Sequence, residues 1–162
     1  MIWLALAVII FMLSFGAVLL FGAPYLPTLT PQVKTALELS GLKAGDTLLE
    51  LGCGDGKVMI AAAKLGINSI GYELNPVVAL VAFLRTRKYK SQVKIIFGNF
   101  WTAEWPQSNA VFTFLLPKYM ARLESKMSQY KYKPTKLISN AFEIPGRPID
   151  VQKNGVNLYK YN

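Results

Sequence analysis

The stretch Thr47-Leu-Leu-Glu-Leu-Gly-Cys-Gly-Asp-Gly-Lys57 decides how this chain is read. An apolar run carries an acid at Glu50, and glycines then stand at alternate positions, Gly52, Gly54 and Gly56. A helical stretch, Val58 to Leu65, comes next. The order predicts a buried strand, a tight glycine turn and a helix N-terminus. Glycines allow backbone geometry that side chains forbid, and they let a ligand approach the main chain. The bland reading is a strand–helix turn with no ligand.

The spacing and the acids narrow the ligand. A dinucleotide-binding loop spaces its glycines G-x-G-x-x-G and presents a helix N-terminus to a pyrophosphate. Here the pattern is E-x-G-x-G-x-G, with Glu50 at the strand end and Asp55 inside the loop. Two carboxylates repel a pyrophosphate. They suit a ligand with positive charge and amine donors, as in S-adenosylmethionine with its sulfonium and α-ammonium. Ser69-Ile-Gly-Tyr-Glu73 reads as a second short strand that again ends in an acid. Glu73 follows the glycines by about twenty residues, where a βαβ unit delivers an acid to ribose hydroxyls.

Glu50-Leu-Gly-Cys-Gly-Asp-Gly56 followed by Gly71-Tyr-Glu-Leu-Asn-Pro76 resembles the class I S-adenosylmethionine-dependent methyltransferases. Pro24-Tyr-Leu-Pro-Thr28, Gly98-Asn-Phe-Trp101, Phe114-Leu-Leu-Pro117 and Ser139-Asn-Ala-Phe-Glu-Ile-Pro-Gly146 narrow the likeness. Together they resemble the small membrane-anchored lysine methyltransferases that act on the ATP synthase c-subunit and on adenine nucleotide translocase. The resemblance implies a cofactor site built from Glu50, Gly52, Cys53, Gly54, Asp55, Gly56, Glu73, Leu74, Asn75, Asn99 and Phe100. Asn99 stands where such enzymes often carry Asp against the adenine amino group; an amide oxygen still accepts that bond.

The N-terminus has its own signal. No charged side chain precedes Lys34, and Ile2–Ala23 is predominantly apolar. As a helix this segment reaches roughly 33 Å, enough for a bilayer core. A cleaved signal peptide would want a positive n-region, and a core helix would show one apolar stripe. The expected organisation is a transmembrane anchor over 1–23, a linker over 24–30 and a methyltransferase domain over 31–162. Lys34 and Lys43 then place the domain on the cytoplasmic side of a prokaryotic inner membrane.

With 18 Lys+Arg against 9 Asp+Glu, the chain carries +9, all of it beyond the apolar segment. Such charge favours anionic headgroups or nucleic acid. There is no histidine and a single cysteine. A Ser-His-Asp triad, a Cys-His dyad and a typical zinc site are therefore excluded.

Strands alternate with helices, which predicts an α/β, Rossmann-like, mostly parallel sheet. Strands are expected at Thr47–Leu51, Ile70–Glu73, Val93–Phe97, Val111–Leu115 and Lys136–Ser139. Thr30 is expected to cap a helix running to about Ser40, and Met120–Tyr130 is expected to be helical. Val151–Lys153 and Val156–Tyr161 flank Asn154-Gly155, a hairpin signal for an antiparallel edge.

Methyl transfer from a sulfonium rests on positioning. A lysine acceptor must also shed its proton, which desolvation favours. Tyr25, Trp101, Trp105 and Phe142 are candidate channel walls, with Trp105 read as core. Tyr25, Thr28, Trp101, Leu116, Pro117, Asn140 and Phe142 are the acceptor-pocket candidates. Exocyclic-amine methyltransferases often carry Asn or Asp before Pro-Pro-aromatic after strand four; Leu115-Leu-Pro-Lys118 has no such group, which argues against nucleic-acid amino methylation, though not against other RNA chemistry. The expectation is a protein-lysine N-methyltransferase acting on an integral-membrane protein. The alternatives are a methyltransferase on a membrane-borne quinone or lipid precursor, an RNA-modifying enzyme, and a tethered module that binds cofactor without turnover.

Overall fold

The computed structural model describes residues 1–3, 9 and 26–162. Almost all of the expected membrane span, and Tyr25, lie outside the described residues. Among the described residues no helix is long and apolar enough to cross a membrane.

Helix α1 (Thr30–Ser40) leads into β1 (Thr47–Leu51), α2 (Lys57–Ala63), β2 (Asn68–Glu73), α3 (Pro76–Thr86) and β3 (Val93–Phe97). Then come β4 (Ala110–Thr113), a 3-10 turn (Pro117–Tyr119), α4 (Met120–Ser128), β5 (Thr135–Asn140), β6 (Val151–Lys153) and β7 (Val156–Tyr161). The sheet order is β3-β2-β1-β4-β5-β7-β6. The first five strands are parallel, and β7 and β6 close one side antiparallel. The chain steps outward from β1 to β3, then returns to lay β4 on the other side of β1. Open α/β sheets bind ligands at that reversal, beyond the strands' carboxyl ends.

Side-chain alternation along a strand sorts residues to the two faces. Leu48, Ala110, Phe112, Ile138 and Leu158 meet Val33, Ala36 and Leu37 of α1 and Val58 and Ala62 of α2. Leu49, Leu51, Val111, Leu137 and Tyr159 meet Met120, Leu123 and Met127 of α4 on the opposite face. Helix α3 joins the α2 side, where Ala82 clusters with Met59, Cys53 and Val93. Leu48, Leu49 and Leu51 are at most 1% exposed, so each contributes about 1.5–3 kcal/mol of burial.

Several boundaries differ from expectation. Thr30 is the first helical residue of α1, not its cap. Leu29 takes that position; its apolar side chain has no atom to cap with, and its carbonyl accepts the first helical bond from Val33 N at 3.0 Å. Strand β4 ends at Thr113 instead of Leu115, and a 3-10 turn starting at Pro117 precedes α4. Helix α4 stops at Ser128, before Tyr130. The C-terminal hairpin has the expected bounds. Asn154 and Gly155 both have positive φ (50° and 73°), the pattern a two-residue hairpin turn requires.

Candidate active site

The glycine loop folds back over the end of β2. Gly52 N and Cys53 N both donate to the Tyr72 carbonyl, at 3.0 and 2.8 Å. Glu73 ties the loop from the other side. Its Oε2 accepts from Gly54 N at 2.9 Å and its Oε1 from Asn75 N at 2.8 Å. Asn75 in turn caps α3, accepting from Val77 N and Val78 N. Loop, acid and helix start form one hydrogen-bonded unit at the carboxyl edge, with half-buried Leu74 between the acid and the cap.

Two glycines explain the loop's shape. Gly52 has φ +80°, is exposed, and a Cβ there would meet nothing within 4 Å. That open ground above the main chain is what a ligand needs to reach the backbone. Gly71 serves the underside, where a Cβ would lie 2.6 Å from Met59 Sδ and 2.7 Å from Cys53 Cβ. The Cys53 side chain thus points down into the core and offers a ligand only its backbone. Burial, then the charges of Glu50 and Glu73, push its thiol upward, so it is no nucleophile.

The acids divide differently from expectation. Asp55 accepts from Lys57 N and forms an ion pair with Arg85 of α3, so its charge is already answered within the protein. The carboxylates that act on each other at the loop are Glu50 and Glu73. Glu50 is 4% exposed and its Oε2 has no hydrogen-bond partner. Burial, then the charge of Glu73, raise its carboxyl well above the usual range. Burial also raises Glu73, against the lowering effect of its backbone donors. An orphaned buried oxygen beside open loop backbone fits a ligand that brings donors and positive charge. The α-ammonium and sulfonium of S-adenosylmethionine have that chemistry.

Asn99 lies just past β3. Its Oδ1 accepts from Trp101 N at 2.9 Å, which shapes the turn that carries Phe100 and Trp101. The Phe100 and Trp101 rings lie 4.6 Å apart. Trp101 also sits 6.0 Å from Tyr119, with Arg122 over its face. Beyond β5, Phe142 stacks on Phe114 at 6.3 Å. Trp105, read as core from sequence, is buried with Nε1 donating to Phe100 O.

The remaining candidates join the same edge. Thr28 is buried, and its carbonyl accepts from Lys57 Nζ at 2.8 Å, placing the linker beside the glycine loop. Leu116 and Pro117 continue from β4. Asn140 ends β5, and Ala141 beyond it holds φ +70°, strained for a residue with a Cβ. Phe114, Tyr119 and Ala141 are not among the pocket residues expected from the sequence, although Phe114 and Ala141 fall within the quoted motifs. Phe114 and Tyr119 flank the Leu-Leu-Pro segment, but their ring partners, Phe142 and Trp101, lie past β5 and β3.

Comparison with solved structures agrees with this geometry. The chain superposes on an RNA methyltransferase from Salinibacter ruber, crystallised with S-adenosyl-L-homocysteine, at a TM-score of 0.76 and 26% identity, covering 84% of this chain and 92% of that one. Strand order and loop define a class I, S-adenosylmethionine-dependent methyltransferase domain. The family model of the ANTKMT methyltransferase domain matches residues 50–150, and the chain belongs to that family. It is 32% identical over 126 residues to the ATP synthase c-subunit lysine N-methyltransferase of Homo sapiens, covering 75% of this chain and 53% of the relative. It is 30% identical over 127 residues to a protein-lysine N-methyltransferase from Saccharolobus islandicus, covering 76% and 79%. The chain spans about half the length of the human relative.

Proposed function

We propose that this chain is a protein-lysine N-methyltransferase that acts at a membrane on a small integral-membrane protein. The observation that carries the reading is the partnerless buried Glu50 beneath an open glycine loop, in a domain of a family whose relatives are lysine methyltransferases. Bound S-adenosylmethionine supplies an activated methyl group. The chain's own residues hold and orient it: Glu50 and Glu73 through charge, Gly52 through bare backbone, Gly54 by tying Glu73 to the loop, and Asn99 and Phe100 past β3.

For the acceptor, the work is desolvation. Trp101, Tyr119, Phe114 and Phe142 set aromatic surface along the carboxyl edge, and Leu116-Pro117 adds no polar side chain. A lysine brought there loses water, which lowers its affinity for a proton and frees the nitrogen lone pair. The apolar Ile2–Ala23 segment supports single-pass anchoring with the domain on the cytoplasmic side.

A second reading follows from the likeness to the RNA methyltransferase and from the +9 charge. An RNA acceptor would draw on the cations. Against it, Leu115-Leu-Pro117 offers no polar group to grip a base amine. One experiment separates the readings. The full chain is incubated with methyl-labelled cofactor and membranes of its own source, followed by acid hydrolysis and amino-acid analysis. Methyl-lysine in a small membrane protein is expected; label only in RNA or in the lipid extract would overturn the lysine reading.

A further inference from the structure

Helix α3 is apolar on two sides. Its inner side packs Val78, Ala79 and Ala82 toward α2 and β3. Its outer side carries Leu80, Val81, Phe83 and Leu84, exposed by 57%, 41%, 60% and 50%. At helical spacing these four share the outward half of the helix. A helix apolar all round belongs in a core or a membrane, yet among the described residues nothing covers this side. A contiguous exposed apolar patch marks an interaction surface.

Its neighbours indicate what covers it. Arg85, Arg87, Lys88 and Lys90 follow directly, and Lys94 lies on the adjoining edge strand β3. Arg85 is paired with Asp55. The other ion pairs among the described residues use Lys131, Arg147 and Lys153, so Arg87, Lys88, Lys90 and Lys94 have no carboxylate partner there, Lys88 resting over the Tyr89 ring. Exposed Leu, Val and Phe beside unpaired cations match a surface that sinks apolar side chains among lipid tails and sets its cations on phosphates. An RNA would use the cations and leave Leu80, Phe83 and Leu84 in water.

We propose that the outer face of α3 docks on a bilayer surface carrying anionic lipid headgroups. The placement fits the site. Helix α3 starts from its Asn75 cap at the carboxyl edge, so its apolar turns lie nearer that edge than its cations do. Thr28, where the chain joins the domain, is bonded to Lys57 at the same edge. Docking through α3 therefore holds the glycine loop and the aromatic edge near the bilayer. The inference does not depend on the acceptor being lysine, and its test measures no turnover.

The test uses the full chain with Phe83→Cys carrying an environment-sensitive nitrobenzoxadiazole probe. Cys53 is buried and its thiol is pushed upward, so the added cysteine takes the label. Gln129→Cys, past the end of α4 on the opposite face, is the control. Vesicles contain phosphatidylcholine with or without phosphatidylglycerol, plus a spin-labelled quencher lipid. The probe at position 83 should lose most of its emission in phosphatidylglycerol vesicles and far less without that lipid, while the control stays bright. Adding R87Q and K88Q should weaken docking of the face by roughly thirtyfold, about fivefold per cation, and restore emission. Equal quenching at both positions, or quenching indifferent to phosphatidylglycerol, would overturn the proposal. A probe shift without vesicles would also overturn it. A shift that rises with protein concentration would assign the face to a second copy, and a constant shift to the chain's own apolar segment.

Discussion

Replacing Glu50 with Gln should remove a pH dependence from folding stability. Glu50 is buried, its Oε2 is unpartnered, and burial followed by the charge of Glu73 raises its carboxyl well above the ordinary value. An unfolded glutamate titrates near pH ~4.3. Between that value and the raised folded value, the folded protein holds a proton that the unfolded chain has lost. Stability is therefore fully present at low pH and falls as pH rises through that window. One displaced proton gives a slope of about 1.4 kcal/mol per pH unit. Gln keeps the shape and cannot ionise, so the variant should lose this contribution and retain only the part due to Glu73. Saturating cofactor should flatten the wild-type slope, because a cationic ligand favours the ionised acid. The assay is urea unfolding of the full chain in mild detergent, followed by tryptophan fluorescence at several values between pH 5 and 8. The raised Cys53 thiol titrates above that range. Parallel wild-type and E50Q curves without cofactor would refute the reasoning.

Gly71→Ala should destabilise the domain by about 1–3 kcal/mol, since its Cβ would press on Met59 and Cys53; thermal unfolding checks it, and an unchanged midpoint would contradict the close approach. Trp101→Ala should lower turnover by about tenfold or more, ~1.4 kcal/mol of barrier, with cofactor affinity nearly kept. Calorimetry beside a methyl-transfer assay separates the two, and equal losses in both would return Trp101 to the cofactor site. Carbonate extraction should leave the full chain in the membrane pellet; recovery in the soluble fraction would remove the anchor from the proposal.

How much was legible in the sequence depended on the range of the interaction. Apolar runs, the glycine turn and the Asn154-Gly155 hairpin depend on neighbours a few residues apart, so strand order of appearance, loop and hairpin bounds could be read directly. The switch from β4 into a 3-10 turn at Pro117 was missed, because Phe114 and Leu115 carry the same apolar pattern as the strand before them. The glycine loop and its acids were legible as types and spacings. Their roles were not. Asp55 reads as a second acid for the ligand, but Arg85 comes from α3, thirty residues on, once α2 and α3 lie side by side. Cys53 reads as a loop residue, and only the bare Gly71 of the neighbouring strand gives its side chain a place beneath the loop.

By itself the sequence determined a mostly parallel α/β domain with an antiparallel edge hairpin, a glycine loop, two strand-end acids and an apolar N-terminal segment, since each rests on local backbone preference and side-chain periodicity. Tertiary structure alone decided that Glu50 and Glu73 lie near enough at the loop for their charges to act on each other. It also decided that Trp101 meets Tyr119, that Phe114 stacks on Phe142, and that α3 turns a second apolar side away from the other described residues. Those relations depend on which strands lie adjacent and which face each helix covers. The physical reason is that the order β3-β2-β1-β4-β5 comes from long-range packing, which no local stretch of the chain encodes.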